Sequence, residues 1–329
     1  MPHILVAGKI HDDGLAILEK AKGFTFDYVT EISHESYLPF IEKADGLVIR
    51  TQPLPADTIM KGARLKIVSR HGVGYDAVHV PTMNARGLPL AIVGDVNSRP
   101  VAEHAMMLIL GLAKRVRIYD GATRDGRWAY RNSFEAVELD GKALLTIGFG
   151  RIGRHVARMA SGFGMTIHAY DPMQSDDAIK SAGAIPVRKL EDGLALADFV
   201  TIHAPKIGDK PLIGAAELKC MKPSSFIVNT ARGGMIDEDA LADALEAKGI
   251  AGAGIDVFVE EPPAMGHRLF TRADVIVSPH SASLTAESAI RMAVMSVQNV
   301  LDYFEKKLDP ALVVNRDHLS AEAREHLKS

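Results

Sequence analysis

The sequence is poor in features that define several protein classes. It holds one cysteine, Cys220, so no disulfide can close within the chain, and no zinc-ligand spacing is present. A reducing, cytoplasmic setting is the default expectation. Basic residues show no excess: 38 Lys and Arg stand against 41 Asp and Glu, a net charge of −3, which argues against nucleic acid as a partner. Long apolar runs are missing as well. The N-terminus meets charge after a few apolar residues with no cationic leader, so neither a signal peptide nor an anchor is expected. The longest other run, 105–113, falls well short of the ~20 residues that span a bilayer, and no membrane segment is expected. What remains is ordinary globular material: 47% hydrophobic, 24% charged, and 329 residues, enough for two domains at roughly 100–200 residues each.

Short aliphatic or β-branched runs alternate with longer amphipathic ones, the pattern of βαβ units and a parallel sheet, so the fold class is α/β. Strands are expected at 3–7, 24–28, 46–49 and 65–69, with helices at 12–20 and 35–43. A wide apolar face from Val101 to Ala113 marks a helix over 98–115 that needs a covering partner, and a helical continuation follows over 116–126. A second series has strands at 143–147, 166–169, 199–202, 225–228, 251–256 and 275–277, with helices at 151–162, 176–182 and 238–247. A last helix covers 286–306, its apolar stripe interrupted by Gln298 and Asn299.

The strand 143–147 leads directly into Gly148-Phe149-Gly150-Arg151-Ile152-Gly153, and a helical pattern follows. This is G-x-G-x-x-G in the strand-turn-helix setting that gives it meaning: Gly148 for the turn, Gly150 for approach of a pyrophosphate, Gly153 for close packing of helix on strand. Asp171 ends the next strand, 18 residues beyond Gly153, near the interval at which an acid meets the adenosine ribose. A carboxylate there favours NAD and repels the 2′-phosphate of NADP. Arg151 either sits on the pyrophosphate or is a solvated charge.

Three ionisable residues follow later strands, where ligands of open α/β sheets bind: Arg232 in N-T-A-R-G-G, Glu261 in D-V-F-V-E-E-P-P and His280 in S-P-H. Taken singly, each has an unremarkable reading as a turn or surface residue. Together they are the parts for reducing a 2-keto acid. A guanidinium forks carboxylate and carbonyl, an imidazolium donates a proton to the carbonyl oxygen, and a carboxylate orients the imidazole.

These motifs, with R-H-G-V-G-Y-D at Arg70, V-A-E-H-A at Val101 and G-R-W at Gly126, resemble the D-2-hydroxyacid dehydrogenase family, in its phosphoglycerate dehydrogenase-like branch. The resemblance runs from the first strand to the last helix. It implies a Rossmann NAD-binding domain, 99–285, inserted in a discontinuous flavodoxin-like substrate domain, 1–98 with 286–329, with hinges near 97–99 and 283–286. It implies Arg232 as the substrate arginine, Glu261 as the acid partner and His280 as general acid and base. His71, Gly72, Val73 and Gly74 would offer backbone N–H groups to the substrate carboxylate, and Arg50 would be an additional substrate arginine. Thr230, Ala231 and Asp256 would face the nicotinamide, with Arg232 and His280 beside them. His203, Ala204 and Pro205 would lie near the adenosine, and Ile152 beside the pyrophosphate. The 98–115 helix resembles the family's dimerisation element, so a homodimer is expected.

His71 departs from the small residue of many relatives, and with Arg70 it either meets a phosphate or second carboxylate or merely packs. Glu261 argues against the formate-oxidising relatives, which place an amide there. No C-terminal regulatory domain is expected. The expected activity is NAD-dependent interconversion of a small 2-keto acid and its D-2-hydroxy acid. The alternative is an NAD(H)-sensing, corepressor-like binding protein on the same scaffold.

Overall fold

The first strand, β1 (His3–Ala7), is aliphatic and nearly all buried, as expected of a strand covered on both faces of a parallel sheet. The structure, a computed structural model, describes residues 1–328. Contacts divide the chain into two compact units, residues 1–97 with 284–329, and residues 98–283.

In the first unit, β1 is joined by β2 (Thr25–Val29), β3 (Gly46–Ile49), β4 (Ile67–Arg70) and β5 (Leu90–Ala91) in the order β2-β1-β3-β4-β5, every pair parallel. This is the doubly wound flavodoxin-like order, whose switch point lies between β1 and β3. The C-terminal helix Ala286–Phe304 belongs to this unit. It buries Ala293, Val297 and Val300 with Ile4, Val6, Val48 and Ile67. A Cβ on Gly14, in the helix Asp12–Lys20, would lie 2.9 Å from the Cβ of Ala293, so glycine lets the two helices approach. Asn299, the polar break in the stripe, is buried and satisfied: its amide donates to Ser69 Oγ at 3.3 Å and to the Ile92 carbonyl at 3.1 Å.

The second unit carries β6 (Ala143–Ile147), β7 (Thr166–Tyr170), β8 (Ile185–Pro186), β9 (Phe199–Ile202), β10 (Phe226–Asn229), β11 (Gly252–Ile255) and β12 (Val275–Val277). Their order is β12-β11-β10-β9-β6-β7-β8, all parallel, with the switch point between β6 and β9. The register aligns the ends of six strands: Ile147 pairs with Tyr170 and Ile202, Asn229 with Ile202 and Ile255, and Ile255 with Val277. The residues that come next, Gly148, Asp171, His203, Thr230, Asp256 and Ser278, therefore stand along one carboxyl edge.

Two expectations change. The segment 35–43 is not one α-helix. It is a short turn of helix, His34–Tyr37, followed by a 3-10 helix, Leu38–Lys43, because Pro39 has no N–H to give to an α-helical bond. The helix Ser98–Ala113 ends before Arg115, which takes a left-handed φ of 51°, and a second helix, Val116–Arg124, begins there. The apolar face of Ser98–Ala113 is covered inside its own unit by β10, β11 and the helix Arg151–Ser161: a Cβ on Gly254 would lie 3.0 Å from Leu108 Cβ. That face is therefore not a reason to expect a dimer. Exposed apolar residues instead follow it, at Val116, Trp128 and Phe134. Among the described residues, no helix is long and apolar enough to cross a membrane.

Candidate active site

The three glycines of the loop after β6 do different work. Gly148 has a φ of +87°, and a Cβ there would come within 2.6 Å of Ala204 N, so glycine is required both by conformation and by close approach. A Cβ on Gly153 would strike the Gly148 carbonyl at 2.2 Å, which closes helix against loop. Gly150 has nothing within 4 Å of its would-be Cβ. It caps the eleven-residue helix Arg151–Ser161, whose first N–H groups and dipole face that open space. An anionic group fits there.

Asp171 stands beside this loop. Its Oδ2 accepts from Phe149 N at 2.8 Å and its Oδ1 from Met173 N at 2.9 Å. Arg154, which sequence reasoning passed over, donates to the Phe149 carbonyl and to Gln174 Oε1, both at 3.1 Å. Across the switch point, His203 Nε2 meets Thr201 Oγ1 at 2.9 Å, and burial pushes the imidazole down to about 3, so it is neutral at ordinary pH. His203 Nδ1 and Thr230 Oγ1 are buried polar atoms without a hydrogen-bond partner among the described residues. Together with the space at Gly150, these two atoms suit a dinucleotide lying along the edge. Arg151, Ile152, Ala204, Pro205 and Ala231 flank the same stretch.

Arg232 sits in a turn organised by Asn229, the buried last residue of β10, which was not singled out from sequence. Asn229 Oδ1 accepts from Ala231 N at 3.0 Å, its amide donates to the Arg232 carbonyl at 2.9 Å, and Arg232 Nη1 donates to the Ala231 carbonyl at 2.6 Å. A Cβ on Gly233 would lie 1.8 Å from the Phe258 carbonyl, so glycine brings this turn against the segment that bears Glu261. Glu261 Oε1 accepts from Phe258 N at 3.1 Å, and Oε2 lies 2.7 Å from His280 Nδ1. Burial works to raise the Glu261 pKa, but the hydrogen bonds from His280 and Phe258 N and the charges of His280 and Arg232 outweigh it. The carboxyl is held below its usual range. With Nδ1 on Glu261, Nε2 is the ring nitrogen left for chemistry.

His280 itself has a left-handed φ of 49°, uncommon for a residue with a side chain, and its N–H donates to the Asp256 carbonyl at 2.8 Å. Asp256, expected on resemblance to face the nicotinamide, also organises the loop that carries His280. It is fully buried, and it accepts from Ser278 Oγ at 2.5 Å, Ser281 N at 2.9 Å and Ala282 N at 3.0 Å.

In the first unit, β1, β3 and β4 end in register, which aligns Gly8, Arg50 and His71. Arg50 Nη1 donates to the Lys9 carbonyl at 3.0 Å. His71 is buried, its Nε2 without a hydrogen-bond partner among the described residues; burial, then the charges of Arg50 and Arg70, push it down to about 3. The Arg70 guanidinium donates to the His71 carbonyl. The expected amide nest narrows: His71 N donates to the Ile49 carbonyl and Gly72 N to the Arg70 carbonyl, both at 2.8 Å, which leaves Val73 and Gly74 for that role.

A sheet of this order, with the glycine fingerprint after its first strand, defines a dinucleotide-binding α/β unit of dehydrogenase type. Residues 106–282 match the model of the D-isomer specific 2-hydroxyacid dehydrogenase, NAD binding domain. The chain belongs to that family. It is 34% identical over 322 residues to glyoxylate reductase of Korarchaeum cryptofilum, covering 95% of this chain and 96% of that one. It is 37% identical over 290 residues to D-3-phosphoglycerate dehydrogenase of Methanocaldococcus jannaschii, covering 88% of this chain and 55% of the relative. The chain thus spans about half the length of several curated relatives that it matches. A solved structure, an NADPH-dependent glyoxylate/hydroxypyruvate reductase of Sinorhizobium meliloti, superposes with a TM-score of 0.84 at 27% identity, covering 97% of this chain and 99% of that one.

Proposed function

We propose that the protein is an NAD-dependent D-2-hydroxyacid dehydrogenase, interconverting a small 2-keto acid and its D-2-hydroxy acid. The observation that carries the reading is the 2.7 Å contact of His280 Nδ1 with Glu261, beside the ordered turn that presents Arg232. NADH, when bound, supplies the hydride to the carbonyl carbon. Arg232 holds the substrate carboxylate and carbonyl in its fork. His280, protonated, gives its Nε2 proton to the carbonyl oxygen as negative charge develops there. In the reverse direction neutral His280 takes the hydroxyl proton. Glu261 keeps the ring oriented and stabilises the imidazolium. Gly148 and Gly150 would hold the pyrophosphate, with Gly153 closing the helix on the loop, and Asp171 would accept from the adenosine ribose, which disfavours NADP.

The test is steady-state turnover on glyoxylate, hydroxypyruvate, phosphohydroxypyruvate and pyruvate with NADH and NADPH, beside His280→Ala. The variant is expected to bind NADH, seen by fluorescence, and to lose turnover. Tight NADH binding with no turnover by the native protein on any of these acids would favour the sensor instead. The reading includes a homodimer, checked by light scattering of the native protein.

A further inference from the structure

A second histidine, His104, meets the segment that carries His280. It lies on the helix Ser98–Ala113, with Nε2 2.8 Å from Ser278 Oγ and 3.6 Å from Asp256 Oδ1. Ser278 Oγ is 2.5 Å from that same Oδ1. A hydroxyl has one proton, and the short contact with a buried carboxylate claims it. Oγ is then an acceptor towards the ring, so His104 Nε2 carries a hydrogen and donates it. The order of donation runs from His104 to Ser278 to Asp256.

Asp256 is the fixed point of the loop that follows. Its backbone carbonyl takes the His280 N–H, Oδ1 takes Ser281 N and Oδ2 takes Ala282 N. His280 is held in a left-handed conformation that residues with side chains adopt only when their surroundings impose it. We infer that His104 is a positioning residue: it fixes the Ser278 hydroxyl on Asp256, and through Asp256 the 278–282 loop and the direction of the His280 ring. This inference rests on the reading of His280 as general acid and base.

The test compares native enzyme, His104→Leu and His104→Gln. Gln keeps an N–H near the place of Nε2, while Leu keeps bulk without a donor. In His104→Leu, kcat with the best keto acid is expected to fall about tenfold, the scale of one lost hydrogen bond, with KM and the NADH dissociation constant within twofold. Hydrogen exchange of the 281–282 amides is expected to quicken, and His104→Gln to restore most of both. Native kcat and native amide exchange in His104→Leu would overturn the inference. So would a loss that His104→Gln does not rescue, or one matched by an equal loss of NADH affinity. If native enzyme reduces none of the keto acids, the activity reading fails, and the exchange of the 281–282 amides alone decides whether His104 holds the loop.

Discussion

Replacing Glu261 by Gln keeps the shape of the side chain and an acceptor for Phe258 N while removing the charge opposite His280. A hydrogen bond to an ionised partner contributes about 1.5–3 kcal/mol. Here both side chains are open to solvent, His280 by 46% and Glu261 by 38%, so screening brings the figure to roughly 1–1.5 kcal/mol, about tenfold in rate. The reductive kcat at neutral pH is therefore expected to fall about tenfold, since the imidazolium loses its counter-charge. Oxidation, which needs neutral His280, is expected to suffer less. On the acid side the Glu261 carboxyl is held low, so its stabilising contribution is complete above the ordinary Glu range and is lost only as pH falls through the lowered value. Initial rates in both directions from pH 5 to 10, with NADH affinity followed by fluorescence, check the argument. A reductive kcat equal to native in Glu261→Gln would refute it.

The glycine loop should separate fold from cofactor. Gly153→Ala puts a methyl 2.2 Å from a carbonyl and is expected to lower the melting temperature by several degrees, whereas Gly150→Ala should melt like native protein yet bind NADH at least tenfold more weakly. Asp171→Ala should raise the NADPH-to-NADH ratio of kcat/KM by at least tenfold; an unchanged ratio would remove Asp171 as the selector. His71 and His203 are pushed to about 3, while unfolded histidine titrates near 6.5, so between those values the unfolded chain binds more protons and stability falls as pH is lowered. Each contributes up to ~1.4 kcal/mol per pH unit in that window, and chemical denaturation of His71→Gln between pH 7 and 5 should show a shallower slope than native protein.

Much of this arrangement is legible in sequence, because parallel strands buried on both faces are bare aliphatic runs. ALLTI, FVTI and FIVN stand out wherever they occur, and the chemistry follows them in the next one to four residues. What periodicity does not carry is which surface an apolar stripe covers. The stripe on Ser98–Ala113 is equally consistent with a partner chain and with its own sheet, and the choice is made by Gly252 and Gly254 on β11, whose missing side chains admit Leu112 and Leu108. Nor does it carry the direction of a short polar side chain. Asn229, Asp256 and Ser278 sit at strand ends as any turn residue does, and only the shared register of β10, β11 and β12 turns their bonds into one scaffold beneath Arg232 and His280. His104 was visible as part of V-A-E-H-A, yet nothing in a helical period brings residue 104 to residue 278. Their meeting requires the helix to pack on the carboxyl half of the sheet, which is why a side chain nearly 180 residues from His280 in sequence can set the direction of its ring.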